Sequence, residues 1–181
     1  MFRRTRLLAA TTVLAATALA APAAAHAAPA APAAAGDFGP AEIRPLAGPP
    51  NLCLEVADGS IDDDAPVQIG TCTGGDYQKW TQTAAGWINL HSGKCLEIPD
   101  DSTAWGTQAD QRTCDGRSNQ KWSDPPAGHP GTPRGIVNAH SGLVLDVYGG
   151  ALTPGTPVIQ WGYQGTPNQF WHYNPEKDPY S

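Results

Sequence analysis

A glutamine followed two residues later by a tryptophan occurs three times, as Gln78/Trp80, Gln120/Trp122 and Gln169/Trp171. The stretch leading up to each tryptophan has the same length. From Cys53 to Trp80 and from Cys95 to Trp122 is 27 residues, and 27 residues before Trp171 stands Val144. The phrases around these positions match: residues 51–56 read NLCLEV, residues 89–98 read NLHSGKCLEI and residues 138–147 read NAHSGLVLDV. A unit written three times folds as three like pieces, and pieces this short cannot bury their own tryptophans, so they must pack on one another. The last two tryptophans are seven residues further apart than the first two, and the excess falls in the Pro/Gly-rich stretch 124–134, a loop insertion.

Within each unit the hydrophobic pattern has period two. Cys-Leu-Glu-Val, Pro-Val-Gln-Ile and Gly-Trp-Ile-Asn-Leu alternate between clusters of Gly, Asp, Pro and Ser, which is the pattern of short strands and turns. Three Phe and one Met beside six Trp and five Tyr, with only 15% charged residues, leave too little material for a helical bundle. The fold class is all-β, and three such units remove their exposed edges by closing on each other.

Residues 1–27 read as a secretory signal peptide: Arg3, Arg4 and Arg6 precede an apolar run of 15 residues ending at Ala21, and the triplet Ala25, His26, Ala27 supplies a small-residue cleavage site. The run is too short and too rich in Ala and Thr for a membrane anchor. The Arg3-Arg4 pair lacks the rest of a twin-arginine pattern. Residues 28–40, mostly Ala, Pro and Gly, are a linker. Removing the three arginines leaves 8 basic against 17 acidic residues, so the secreted, extracellular chain offers no basic surface for nucleic acid or anionic membrane.

Four cysteines in an exported chain imply two disulfides. Cys53 and Cys72 are 19 residues apart, as are Cys95 and Cys114, and equal loops point to one bridge inside each of the first two units. Four cysteines allow three connectivities; zinc is their other use, but no C-x-x-C spacing is present. The third unit has Val144 and Tyr163 at these places and folds without a bridge.

Three Q-x-W units, a C-L-E/D-V strand, a cysteine pair within the repeat and an H-S-G turn resemble the ricin B-type β-trefoil lectin domain, over residues 41–173, with 174–181 a tail. The resemblance implies a β-trefoil with pseudo-threefold internal repeats, and the Ala-rich export signal fits a bacterial source. Trp80, Trp122 and Trp171 are then core residues, and Gln78, Gln120 and Gln169 hold backbone groups inside each repeat.

The same resemblance places a sugar pocket in each repeat: an Asp two residues after the first Cys, a backbone amide in the next turn, an aromatic platform, and an Asn before the Q-x-W. A short carboxylate accepts from two neighbouring hydroxyls, and the C–H face of a pyranose packs on a flat aromatic. Acid and platform positions are 15 apart in every repeat, as Glu55/Gly70, Glu97/Arg112 and Asp146/Trp161, and the third alone has both residues right. The expected site is therefore Asp146, Gly149, Trp161 and Asn168, with Gln164 a further contact. Ile159 departs from the pattern, since Gln often stands there as Gln68 does, and this withdraws a support from Asp146. The first repeat has Glu55, Asp58, Gly70 and Tyr77; the second keeps Asn119 but has Glu97, Asp100 and Arg112.

His91 and His140 sit at the same place in two H-S-G turns and read as turn residues rather than ligands. The run 62–64 of three Asp lacks an EF-hand's Gly and distal Glu. No hydrolase, zincin or phosphate-loop motif occurs. The expected activity is galactose-type glycan or polysaccharide binding, with no cofactor, metal or catalytic residue. The alternative is a trefoil protease inhibitor or protein-binding module using the 124–134 loop and Arg134. Sequence assigns no oligomeric state.

Overall fold

The computed structural model describes residues 38–123 and 135–172. The export segment 1–27, the insertion 124–134 and the tail 174–181 lie outside the described residues. The described chain contains thirteen strands and six single-turn 3₁₀ segments, with no α-helix. The strands are β1 (Phe38–Glu42), β2 (Arg44–Pro45), β3 (Leu52–Val56), β4 (Ala65–Thr71), β5 (Lys79–Thr83), β6 (Gly86–Asn89) and β7 (Cys95–Glu97). Then follow β8 (Asp110–Arg112), β9 (Trp122–Ser123), β10 (Val137–Asn138), β11 (Val144–Val147), β12 (Thr156–Trp161) and β13 (Trp171–His172). Strand β1 starts three residues inside the stretch assigned above to the linker. The strand pairs with β5 across an irregularity between Phe38 and Ala41, and Gly39 and Pro40 at that irregularity give the sequence a linker's composition.

One antiparallel hairpin recurs three times in the same register. Glu55 faces Gln68 in β3/β4, Glu97 faces Asp110 in β7/β8, and Asp146 faces Ile159 in β11/β12. The second strands of the three hairpins meet: β4 pairs with both β8 and β12, with Val67 N–H donating to Ala109 O and Ala109 N–H to Val158 O, each at 2.9 Å. Val67, Ala109 and Val158 are fully buried equivalents in the three repeats. This is the β-trefoil.

The Q-x-W tryptophans are buried, and each indole N–H donates to a carbonyl 26 residues earlier: Trp80 to Leu54, Trp122 to Leu96 and Trp171 to Leu145, at 3.1, 2.9 and 3.1 Å. A large apolar ring thus fills the core while its one polar atom is satisfied. Cys53–Cys72 and Cys95–Cys114 are bridged as the equal spacing indicated. In the H-S-G turns the preceding asparagine fixes the backbone. The side-chain oxygens of Asn89 and Asn138 accept from the amides two and three residues on, and Ser92 and Ser141 donate to the buried Gln111 and Gln160. His91 and His140 are left exposed, as turn residues.

Candidate functional site

The β11/β12 hairpin, the Tyr148–Gly150 turn and the Pro167–Gln169 turn enclose a cavity of about 460 Å³. Asp146, Gly149, Trp161, Gln164 and Asn168, the five residues expected from sequence, all line it, and Tyr148, Gly150, Ile159 and Thr166 complete the wall. Register explains the convergence. Asp146 and Trp161 lie two rungs apart on one ladder, because Asp146 pairs with Ile159 and Val144 with Trp161. Gly149 adopts φ +60°, and a Cβ there would meet nothing within 4 Å, so the space above this turn is open. Asp58 and Asp100 hold the same left-handed conformation in the other repeats, which Asp tolerates.

Asp146 is buried, and two amides hold its carboxylate. Asn168 Nδ2 donates to Oδ1 and Gln169 Nε2 to Oδ2, both at 2.8 Å. The support that Ile159 withdraws is thus supplied by Asn168, which also donates to Val147 O at 3.2 Å. Each carboxylate oxygen retains a lone pair, which is what two adjacent sugar hydroxyls require. Burial pushes the Asp146 carboxyl above its usual pKa, against the lowering effect of the Gln169 and Asn168 donors.

The Q-x-W glutamine has a role that the sequence reading missed. Besides holding backbone groups (Gln169 donates to Gly162 O and accepts from the Gln164 amide), it ties down the acid in every repeat: Gln78 to Glu55, Gln120 to Glu97, Gln169 to Asp146. The constant separation of 23 residues between acid and glutamine was the available signal.

The first repeat keeps a cavity of about 520 Å³, lined by Glu55, Asp58, Gly59, Gln68, Tyr77 and His91. Its acid stands differently. A Cβ built on Gly70 would fall on the Glu55 carboxyl, so the longer acid occupies the place of the platform and requires the glycine. Gln68 and Gln78 donate to its two oxygens at 3.0 and 2.7 Å. In the second repeat Arg112 pairs with Asp64 at 2.8 Å, which takes its guanidinium away from a platform role. Asp63 accepts from Lys94 and from the Thr113 amide, both at 2.7 Å, so two of the three residues of the 62–64 run are engaged in ion pairs. No helix among the described residues is long and apolar enough to cross a membrane.

A family model described as a ricin-type β-trefoil lectin domain-like matches residues 87–161 and 130–181. Among solved structures, the designed threefold-symmetric protein ThreeFoil is 31% identical over 73% of this chain and 95% of its own, with a TM-score of 0.66. An exo-β-1,3-galactanase from Clostridium thermocellum is 28% identical over 73% of this chain, TM-score 0.63. The hemolytic lectin CEL-III is 25% identical over 74%, TM-score 0.61. The chain spans 29% of the length of each of these last two proteins.

Proposed function

The chain belongs to the ricin-type β-trefoil lectin domain family, and from that premise we propose that it is a secreted lectin that binds a galactose-type sugar in its third repeat. A carbohydrate-binding module is what the family and the lectin neighbours support; the location of the site is our reading. The observation that carries it is the cavity in which a short, doubly held carboxylate faces a tryptophan, Asp146 and Trp161. The carboxylate accepts from two neighbouring hydroxyls while the indole packs against the C–H face of the ring. Similarity to a galactanase favours a galactose-type ligand. Export is read from residues 1–27, with the mature chain starting near Ala28.

One open pocket that exchanges sugar for water at each hydroxyl gives weak binding, on the order of millimolar. Removing the charged acceptor costs about 1.5–3 kcal/mol. Titration of galactose into wild type, Asp146→Ala, Trp161→Ala and Glu97→Ala, with chelator present, tests the reading. Wild type and Glu97→Ala should bind alike and the other two should show no measurable binding. If Asp146→Ala binds like wild type, the third-repeat assignment falls, and the protein-binding alternative gains.

A further inference from the structure

Among the described residues three aromatic side chains are more than half exposed: Trp105 at 57%, Tyr148 at 59% and Tyr163 at 51%. Two of them stand at the third repeat's site, Tyr148 and, although it belongs to the second repeat, Trp105. Tyr148 lines the cavity, and the Trp105 ring lies 5.2 Å from the Trp161 ring, tilted by 55°, whereas Tyr163 lies against Phe170 at 6.4 Å. An exposed tryptophan is a standing cost in apolar surface. The chain accepts that cost beside a pocket that pairs an Asp with a Trp.

Trp105 is not a ring on a loose loop. The buried Gln160, immediately before Trp161, grips both sides of the loop that carries it. Gln160 Nε2 donates to Ser102 O and Ala104 O, its backbone N–H donates to Thr107 O, and Gly106 N–H donates to Gln160 O, all at 2.9 Å. Inside the loop, Ser102 and Thr107 share a hydroxyl contact of 2.8 Å. The ring then lies across Gly162, where a Cβ would come within 2.5 Å of Trp105 Cζ2, so the glycine is what admits it.

The equivalent junction between the first two repeats shows what the position otherwise holds. There Gln111 grips Ser60 O and Asp62 O in the same way, and the residue matching Trp105 is Asp63, bonded to Thr113 and Lys94. An ion-paired turn satisfies the scaffold. A tryptophan joined to the platform of the neighbouring pocket does something more.

We propose that Trp105 is a second sugar platform, continuous with Trp161, so that the third-repeat site recognises a glycan chain of two or more pyranose units rather than a single sugar. The unit in the cavity stacks on Trp161, and the next unit along the chain packs its C–H face on Trp105. This inference rests on the reading of the third-repeat cavity as a sugar site.

The test is titration of galactose, galactobiose and galactotriose into wild type, Trp105→Ala and Trp105→Phe. Wild type should bind the oligosaccharides about tenfold more tightly than galactose, as expected for one added stacked ring. Trp105→Ala should lose that gain while binding galactose as wild type does, and Trp105→Phe should retain part of it. Thermal melts should show all three proteins folded, since the ring is mostly exposed. Two results would overturn the proposal: a gain that survives in Trp105→Ala, or a loss of galactose binding by the same factor as oligosaccharide binding, which would make Trp105 a positioning residue for Trp161. Absence of binding to all three sugars by wild type would instead remove the galactose-site reading on which the proposal stands.

Discussion

The second and third repeats set a carboxylate on the same rung of the same hairpin and give it opposite surroundings. In the third, Asp146 takes one amide donor on each oxygen, from Asn168 and Gln169, and faces Ile159 across the ladder. In the second, Glu97 keeps the glutamine bond, from Gln120 at 2.7 Å, but its other oxygen is buried with no partner. Asn119, the counterpart of Asn168, reaches only the backbone carbonyl of Ile98, and its own side-chain oxygen is also buried without a partner. Across the ladder stands Asp110, a second buried acid with an unpartnered oxygen. One added methylene and one exchanged neighbour separate a held acceptor from a stressed acid pair. What the scaffold preserves is position; whether the position can take a ligand is decided by side-chain length and by the residue facing it.

Asp146→Glu breaks the comparison most directly, because it gives the third repeat the second repeat's acid. By the precedent of Glu97, the longer side chain keeps Gln169 and loses Asn168. The carboxylate also moves by more than a hydrogen bond tolerates. Galactose binding should weaken by at least about tenfold, roughly 1.4 kcal/mol, and crowding beside Trp161 should cost about 1–3 kcal/mol of stability. Titration and denaturant unfolding measure the two effects. Unchanged binding would mean that the acid's length is not what separates the repeats.

The second-largest effect comes from relieving the acid pair. Burial, and after it the charges of Glu97, Asp64 and Asp100, push the Asp110 carboxyl up to about 7, while Arg112 pulls the other way. Burial raises Glu97 as well, against Gln120, Arg112 and Arg117. The unfolded chain gives up the Asp110 proton near pH ~3.9. As pH rises from there to about 7, the native chain keeps a proton that the unfolded chain has lost, and stability falls. Above that range the penalty is constant. Asp110→Asn removes the charge and sets an amide donor beside Glu97, so it should stabilise the protein by about 2 kcal/mol at pH 8 and by little at pH 4. Unfolding curves at the two pH values decide it; an equal gain at both would mean that repulsion within the pair is not the source.

Most of this architecture was legible because repetition makes residues comparable within one chain. The three Q-x-W pairs and the 19-residue cysteine loops located the hairpins and the bridges, and the family resemblance those repeats carry pointed to the five residues that line the cavity. What stayed hidden lies between repeats or depends on side-chain reach. Trp105 contacts Trp161 across a junction that no intra-repeat spacing describes. Asn168 replaces the missing glutamine through a bond 22 residues long in sequence, and it does so only because Asp146 is short. The start of β1 was missed because Gly39 and Pro40 share their composition with the linker before them. The Glu55/Gly70 pairing could have been noticed as a long acid near a missing side chain, but only the structure shows the carboxyl lying where a Cβ would be.

The smallest effect is the most specific to the third repeat. Asp146 offers both oxygens as charged acceptors only while ionised, and its burial places the loss of that form above the usual aspartate range. Sugar hydroxyls donating to the carboxylate favour its charged form, so the bound state holds a proton less firmly than the free state, and binding must weaken as pH falls below the free-state pKa. The expected profile declines on acidification from a pH higher than ~3.9, with a limiting slope of about tenfold per pH unit between the free-state and bound-state pKa values. Asp110→Asn is the protein to use, since in it the Asp110 titration is gone, leaving Glu97 as the second repeat's shifted acid, while the third repeat is untouched. Glu97→Ala in the same background should leave the profile where it is. A flat profile from pH 7 to pH 4 in a protein shown by its near-ultraviolet spectrum to be folded would mean that Asp146 does not accept from the sugar, and that the Trp161 stack carries the binding alone.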